Sequence, residues 1–121
     1  MTSHVHDIGA LDDYVNRKAR RIQVGTHVIV VVRWGDQIYA LRDTCAHQGA
    51  PLSSGTLGYR ITASSAGDPV LIDTDTRVLR CPWHGWQYDL CTGRSLVNPE
   101  RARVKVFDAH VDDGRVYVDL G

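Results

Sequence analysis

Cysteine is scarce in this chain. There are three in 121 residues, an odd number with no export signal ahead of them, which argues against a disulfide framework. No excess of either charge exists. The 14 Lys and Arg residues match 14 Asp and Glu residues, for a formal charge of zero. A basic stripe for nucleic acid or for an anionic membrane surface is therefore missing. Long apolar runs are missing too. The longest aliphatic run, Val28-Ile29-Val30-Val31-Val32, falls far short of the roughly 20 residues that a membrane helix needs. Met1 to Asp13 has no apolar stretch of the kind an export signal carries. Internal repeats and low-complexity tracts are absent. With 43% hydrophobic residues, the chain can still build an ordinary core. These features predict one soluble, cytoplasmic domain over residues 1–121 that engages neither nucleic acid nor membrane.

What is present first is a β pattern. Arg20 to Val24 reads as a strand, and Thr26 to Trp34 as a second. A Gly35-Asp36 turn then leads to a third strand, Gln37 to Leu41, so the pair forms a hairpin. Near the end, Val104 to Ala109 and Arg115 to Asp119 flank Asp112-Asp113-Gly114 and predict another hairpin. Leu11 to Arg21 is expected to hold a helical turn. The fold class is all-β.

The chemistry sits in two short runs, Cys45-Ala46-His47 and Cys81-Pro82-Trp83-His84. Each pairs a thiol with an imidazole, and each opens into small residues, Gly49-Ala50-Pro51 and Gly85. Four soft-to-borderline donors in two tight pairs read as a metal site. A zinc-bound interaction module is one reading, but zinc modules favour paired cysteines and paired histidines, not mixed pairs. Cys91 is the spare thiol and is expected to pack or to sit near the Thr92-Gly93 turn. His4, His6, His27 and His110 have no cysteine beside them and read as solvated or core residues. Arg17-Lys18-Arg20-Arg21 reads as a solvated face, with steering of an acidic partner as the alternative.

Residues 45–52, Cys-Ala-His-Gln-Gly-Ala-Pro-Leu, and residues 81–89, Cys-Pro-Trp-His-Gly-Trp-Gln-Tyr-Asp, closely resemble the two cluster loops of Rieske [2Fe–2S] ferredoxins from bacterial oxygenase systems. The resemblance implies a small antiparallel β framework with an inserted cluster-binding part over about residues 42–97. It implies one cluster, with one iron held by the Cys45 and Cys81 thiolates. The other, outermost iron is held by His47 and His84 through neutral imidazole nitrogens. Neutral ligands in place of two thiolates lower the negative charge and raise the potential, as is established for Rieske centres.

High-potential Rieske proteins carry an extra cysteine in each loop, and the two form a disulfide. Here those positions are Ala50 and Trp83, so no such bond can form. A serine that bonds a bridging sulfur in those proteins is replaced by Trp86, while the tyrosine that bonds a cysteine sulfur is kept as Tyr88. A hydrogen bond to a charged acceptor is worth about 1.5–3 kcal/mol. Its loss lowers a one-electron potential by roughly 65–130 mV. The resemblance therefore points to the low-potential group. It also implies that Gly49, Gly85, Pro51 and Pro82 let the loops approach the cluster, and that Asn98-Pro99 belongs to a third, covering loop. Trp83 and Trp86 have two readings: core packing, or screening and docking at the cluster.

Between His47 and Cys81 lie 33 residues, about twice what the resemblance leads one to expect. The surplus, about Tyr59 to Arg77, has apolar triplets Ile61-Thr62-Ala63 and Val70-Leu71-Ile72 around a Ser/Gly/Asp/Pro cluster. It predicts a protruding hairpin, read as a tolerated surface insertion with partner docking as the alternative. The function implied is that of a one-electron carrier between a flavin-dependent reductase and a terminal oxygenase, with no catalysis of its own. The chain has no room for the catalytic domain of an oxygenase, with its iron held by two histidines and a carboxylate. The alternative is a permanent subunit of a larger redox enzyme, such as a nitrite reductase small subunit.

Overall fold

The aliphatic run becomes the middle of a strand buried on both faces. In β3 (His27–Trp34), Ile29 and Val31 point into one core and Val30, Val32 and Trp34 into another. Double burial is why this strand reads as continuous rather than alternating. The computed structural model describes residues 5–44, 51–62, 67, 69, 71–83, 86–96 and 102–120. The other strands are β1 (Val5–Ala10), β2 (Lys18–Val24), β4 (Gln37–Arg42), β5 (Thr56–Thr62), β6 (Leu71–Arg80), β7 (Gln87–Asp89), β8 (Val106–Asp112) and β9 (Arg115–Asp119). Among the described residues there is no α-helix, only single 3₁₀ turns at Leu11–Asp13 and Leu52–Ser54.

Six strands form an antiparallel framework in the order β1-β9-β8-β4-β3-β2, built from both ends of the chain. Its core is Tyr14, Ile29, Val31, Ile38, Ala40, Phe107, Val116, Val118 and Leu120. Each fully buried aliphatic side chain contributes about 1.5–3 kcal/mol. Both expected hairpins are present, β3–β4 and β8–β9. The second begins at Val106, two residues later than the sequence suggested. The helical turn is also shorter than expected. It ends at Asp13, because the Tyr14 side chain turns into the core and its hydroxyl donates to Ile8 O at 2.7 Å. Burial raises the Tyr14 pKa above the ordinary phenol value. Residues from Lys18 onward already belong to β2. Strand β1 has no apolar alternation to announce it. It pairs with β9, and Arg115 holds Asp7 with two hydrogen bonds of 2.9 and 3.1 Å.

The smaller sheet, β5-β6-β7, lies in the chain between β4 and β8. It shares the second core with the outer face of β3: Val30, Val32, Trp34, Leu41, Leu52, Leu79, Cys81, Tyr88, Leu90 and Val104. A stacked clasp joins the two sheets at one side. Trp34 has the guanidinium carbons of Arg17 and Arg77 at 4.5 and 4.9 Å from its ring, and the Tyr59 ring at 5.3 Å. Arg17 donates to the Tyr59 hydroxyl and Arg77 to the Tyr39 hydroxyl. Such cation–π contacts are worth about 0.5–2 kcal/mol each.

The predicted insertion is the far half of the β5–β6 hairpin. Tyr59 pairs with Arg77 but Arg60 pairs with Asp73, so Thr74, Asp75 and Thr76 bulge out of β6. The Asp73 carboxylate stabilises the bulge, accepting from Asp75 N–H and from the Thr76 hydroxyl, both at 2.9 Å. These bonds hold its pKa below the usual carboxylate value. Beyond the bulge Ile61, Leu71 and Ile72 are exposed; before it Leu57, Val78 and Leu79 belong to the core. Thus the base of the hairpin is part of the fold and only its end protrudes. The tip residues 63–66 lie outside the described residues.

Candidate metal centre

Of the four expected ligands, Cys81 is described; Cys45, His47 and His84 lie outside the described residues, as do Gly49, Ala50, Gly85, Asn98, Pro99 and His4. Cys81 directly follows β6, which pairs on both sides and delivers it into the second core at 4% exposure. Its backbone N–H donates to Trp86 O at 2.9 Å. That bond fixes the two ends of the Cys81–Trp86 segment against each other. The thiol itself is in no disulfide. Tyr88, two strand positions beyond Trp86, is fully buried in the same core.

The stretches on either side of residues 45–50 are tied to each other. Asp43, two residues ahead of Cys45, is buried, and its carboxylate accepts from Ser53 N–H at 2.7 Å and from the Ser53 hydroxyl at 2.6 Å. Arg21 Nε stands 3.8 Å from the same group. Between Asp43 and Ser53 lies Leu52, fully buried beside Cys81 and Tyr88. The stretches on either side of a third segment, 97–101, are held too: Ser95 N–H donates to Ala102 O at 2.8 Å and Leu96 N–H to Gln87 O at 2.9 Å. Ser95 also pairs across from Tyr88. The stretches flanking all three segments are therefore anchored on or against one core. Sequence reasoning missed Asp43, Ser53 and Ser95, because hydroxyls and a carboxylate in such positions have no motif of their own.

Gln87 ties the insertion to this region. Its side-chain amide accepts from Ile61 N–H at 2.9 Å and donates to Ile61 O at 3.1 Å, as a neighbouring strand residue would. Trp86 is half-buried and packs against the core, whereas Trp83 is exposed. Of the two readings, packing therefore holds for Trp86. Cys91 is exposed in the turn after β7, where Asp89 caps the backbone N–H groups of Cys91 and Thr92. It does not pack. In the same turn Gly93 has φ +73°, and a Cβ there would stand 2.0 Å from Val104 O, so no other residue fits. His6 is exposed, His27 packs edge-on to Phe107, and His110 stacks on Tyr117.

The donor chemistry fits an iron–sulfur group. A buried thiol at a strand end, a core that excludes water beneath it and backbone held in fixed turns suit a metal held by thiolate and imidazole.

Comparison with known proteins agrees. A family model for the Rieske [2Fe–2S] domain matches residues 4–108. The ferredoxin CarAc of Metapseudomonas resinovorans is 38% identical over 100 residues, covering 82% of this chain and 78% of its own. Among solved structures, the complex of reduced oxygenase and oxidised ferredoxin in carbazole 1,9a-dioxygenase contains a chain with a TM-score of 0.71 at 34% identity. The match covers 98% of this chain and 94% of that one. A protein described as an NADH-dependent nitrite reductase small subunit from Mycobacterium tuberculosis has a TM-score of 0.79 at 20% identity, covering 98% of this chain and 96% of that one. At that identity the likeness shows the fold alone.

Proposed function

Because this chain belongs to the Rieske [2Fe–2S] family, we propose that it is a one-electron carrier, a ferredoxin that takes electrons from a flavin-dependent reductase and passes them to a terminal oxygenase. The supporting observation is the near full-length match to a ferredoxin seen together with its oxygenase. Cys45 and Cys81 would hold one iron of the cluster and His47 and His84 the other, within a cluster-binding part over about residues 42–97 of a single 1–121 domain. When bound, the cluster would supply a one-electron couple. The protein's own residues shape the site. Asp43 and Ser53 hold the first ligand segment, the Cys81–Trp86 backbone bond holds the second, and Leu52 and Tyr88 keep water from beneath. The chain itself is not a catalyst in this reading.

The test is direct. The purified protein should be red-brown, with two irons and two acid-labile sulfides per chain. It should pass electrons from a reductase to an oxygenase that is inactive without it. Stoichiometric zinc without iron after anaerobic preparation would overturn the reading.

A further inference from the structure

The charge of this chain is zero in sum but not in place. Asp7, Asp12, Asp13, Asp112 and Asp113 are all exposed on β1, the turn after it and the β8–β9 turn. These elements touch, since β1 pairs with β9 and Leu11 N–H donates to Gly114 O. A different part of the surface is basic. A cleft of about 500 Å³ is lined by Arg42, Arg103 and Lys105 together with Thr92, Val104 and Val106. All three cations are exposed.

Three separate stretches build this cleft, and backbone bonds fix them. Arg42 N–H donates to Lys105 O at 2.9 Å, and Val104 N–H donates to Gly93 O at 2.7 Å. Arg94 stands directly across from Arg103 in an antiparallel bridge. Like charges placed opposite one another destabilise a β pair, so this arrangement costs the fold something. Among the described residues no carboxylate lies within ion-pair distance of Arg42, Arg94, Arg103 or Lys105. The nearby Asp89 turns its Oδ1 to the Cys91 and Thr92 N–H groups instead. By contrast, the basic run that stands out in the sequence is largely occupied. Arg17 lies on Trp34, Arg20 lies over Tyr14, and Arg21 faces Asp43.

We propose that the Arg42–Arg103–Lys105 cleft is a docking surface for a carboxylate-rich patch on a redox partner. This rests on the carrier function proposed above and adds the chemistry of the partner. Among the described residues Arg42, Arg103 and Lys105 face no carboxylate, although the Lys105 ammonium lies 5.2 Å over the Phe107 ring, so they meet clustered carboxylates without first breaking an ion pair. They steer encounter and orientation more than they add affinity. The cleft's place follows from its segments: Arg42 leads into the first ligand segment, and Arg94 and Arg103 flank the 97–101 segment.

The experiment uses the holoprotein and fluorescently labelled hexaglutamate, read by anisotropy at low ionic strength, with an uncharged peptide of equal length as control. Binding should be present, and added salt should remove it. The triple variant Arg42→Gln/Arg103→Gln/Lys105→Gln should bind roughly tenfold more weakly, within what three exposed ion pairs supply, and Arg103→Glu alone should weaken binding too. Lys18→Gln/Arg20→Gln should leave it unchanged. Equal binding by the triple variant, or an equal loss in the Lys18/Arg20 variant, would overturn the proposal. Iron and sulfide content, measured on the same preparations, reports separately on the carrier reading. A protein lacking iron sinks that reading whatever the peptide does.

Discussion

The framework and the inserted sheet are both antiparallel β, yet they are held by different means. The framework has a core of its own, with Ile29, Val31, Val116 and Val118 at zero exposure. The inserted sheet borrows Val30, Val32 and Trp34 of its core from the outer face of β3. Its far end leaves Ile61, Leu71 and Ile72 in solvent. Around the expected ligands it relies on a few hydrogen-bonded tethers, such as Asp43 to Ser53, Cys81 to Trp86 and Gln87 to Ile61. Apolar burial alone accounts for the first region. The second needs hydrogen-bonded anchors and the ligands' own metal to complete it. The difference teaches that rigidity here is divided, with a self-sufficient support carrying a part that is finished by its cofactor.

Removing the cofactor breaks the comparison most strongly. Cys81→Ser, or iron removal by a chelator, is expected to abolish the visible spectrum and strip hydrogen-exchange protection from residues 52–62 and 71–96. Protection in β3, β8 and β9 should largely persist, because metal binding is folding energy for the segments it organises. Uniform loss of protection across both sheets would show a single cooperative unit instead. Leu52→Ala comes next. It empties the core that the two regions share and should cost about 2–5 kcal/mol in chemical denaturation, with faster loss of the cluster. Arg77→Ala tests the clasp between the sheets. It removes the ring contact with Trp34 and the bond to Tyr39 and should cost about 0.5–2 kcal/mol, without moving the absorption spectrum.

The Asp7–Arg115 pair tests the framework alone, through pH. Arg115 is the main cause that holds the Asp7 pKa below the usual carboxylate value, and the Gly9 N–H adds to it. A lowered folded pKa means a contribution that is full above the unfolded value of about 4. It is lost as pH falls through the lower folded value. Asp7→Asn should therefore lower Tm modestly at neutral pH. Its melting curve should converge with the wild type's in strong acid. A gap that stays constant down to strong acid would mean that the carboxylate charge is not what matters. The smallest effect is expected from excising Thr62–Leu71, which leaves the Ile61 bonds to Gln87 in place, and closing the gap with a short turn. Loop closure changes slowly with length, so stability and spectrum should hardly move. Slowed electron transfer with an intact spectrum would assign the hairpin to a partner, and loss of the cluster would make it part of the fold.

How much of this was legible in the sequence follows from distance along the chain. The Cys45/His47 and Cys81/His84 pairs are local patterns, and so are the Gly35-Asp36 and Asp113-Gly114 turns. Those were readable, and the family match agrees with the reading they gave. The five-residue aliphatic run announced a strand, though not that both its faces would be buried. Strand β1 stayed hidden because Val-His-Asp-Ile-Gly-Ala has little apolar alternation and is held by a partner 108 positions away. The Trp34 clasp gathers residues 17, 34, 59 and 77, and the basic cleft gathers residues 42, 103 and 105. Neither forms a run. Only the strand order brings them together, while the run that looked important, residues 17–21, is largely taken up by packing.

The bulge at Thr74–Thr76 has a consequence for how such a chain can change. Its three extra residues absorb the mismatch between the two halves of the hairpin, and Asp73 seals it locally. Pairs from Thr56↔Arg80 to Tyr59↔Arg77 keep their register whatever lies beyond. The bulge is thus an expansion joint: residues can be gained or lost past it over generations without disturbing the arm that carries Cys81.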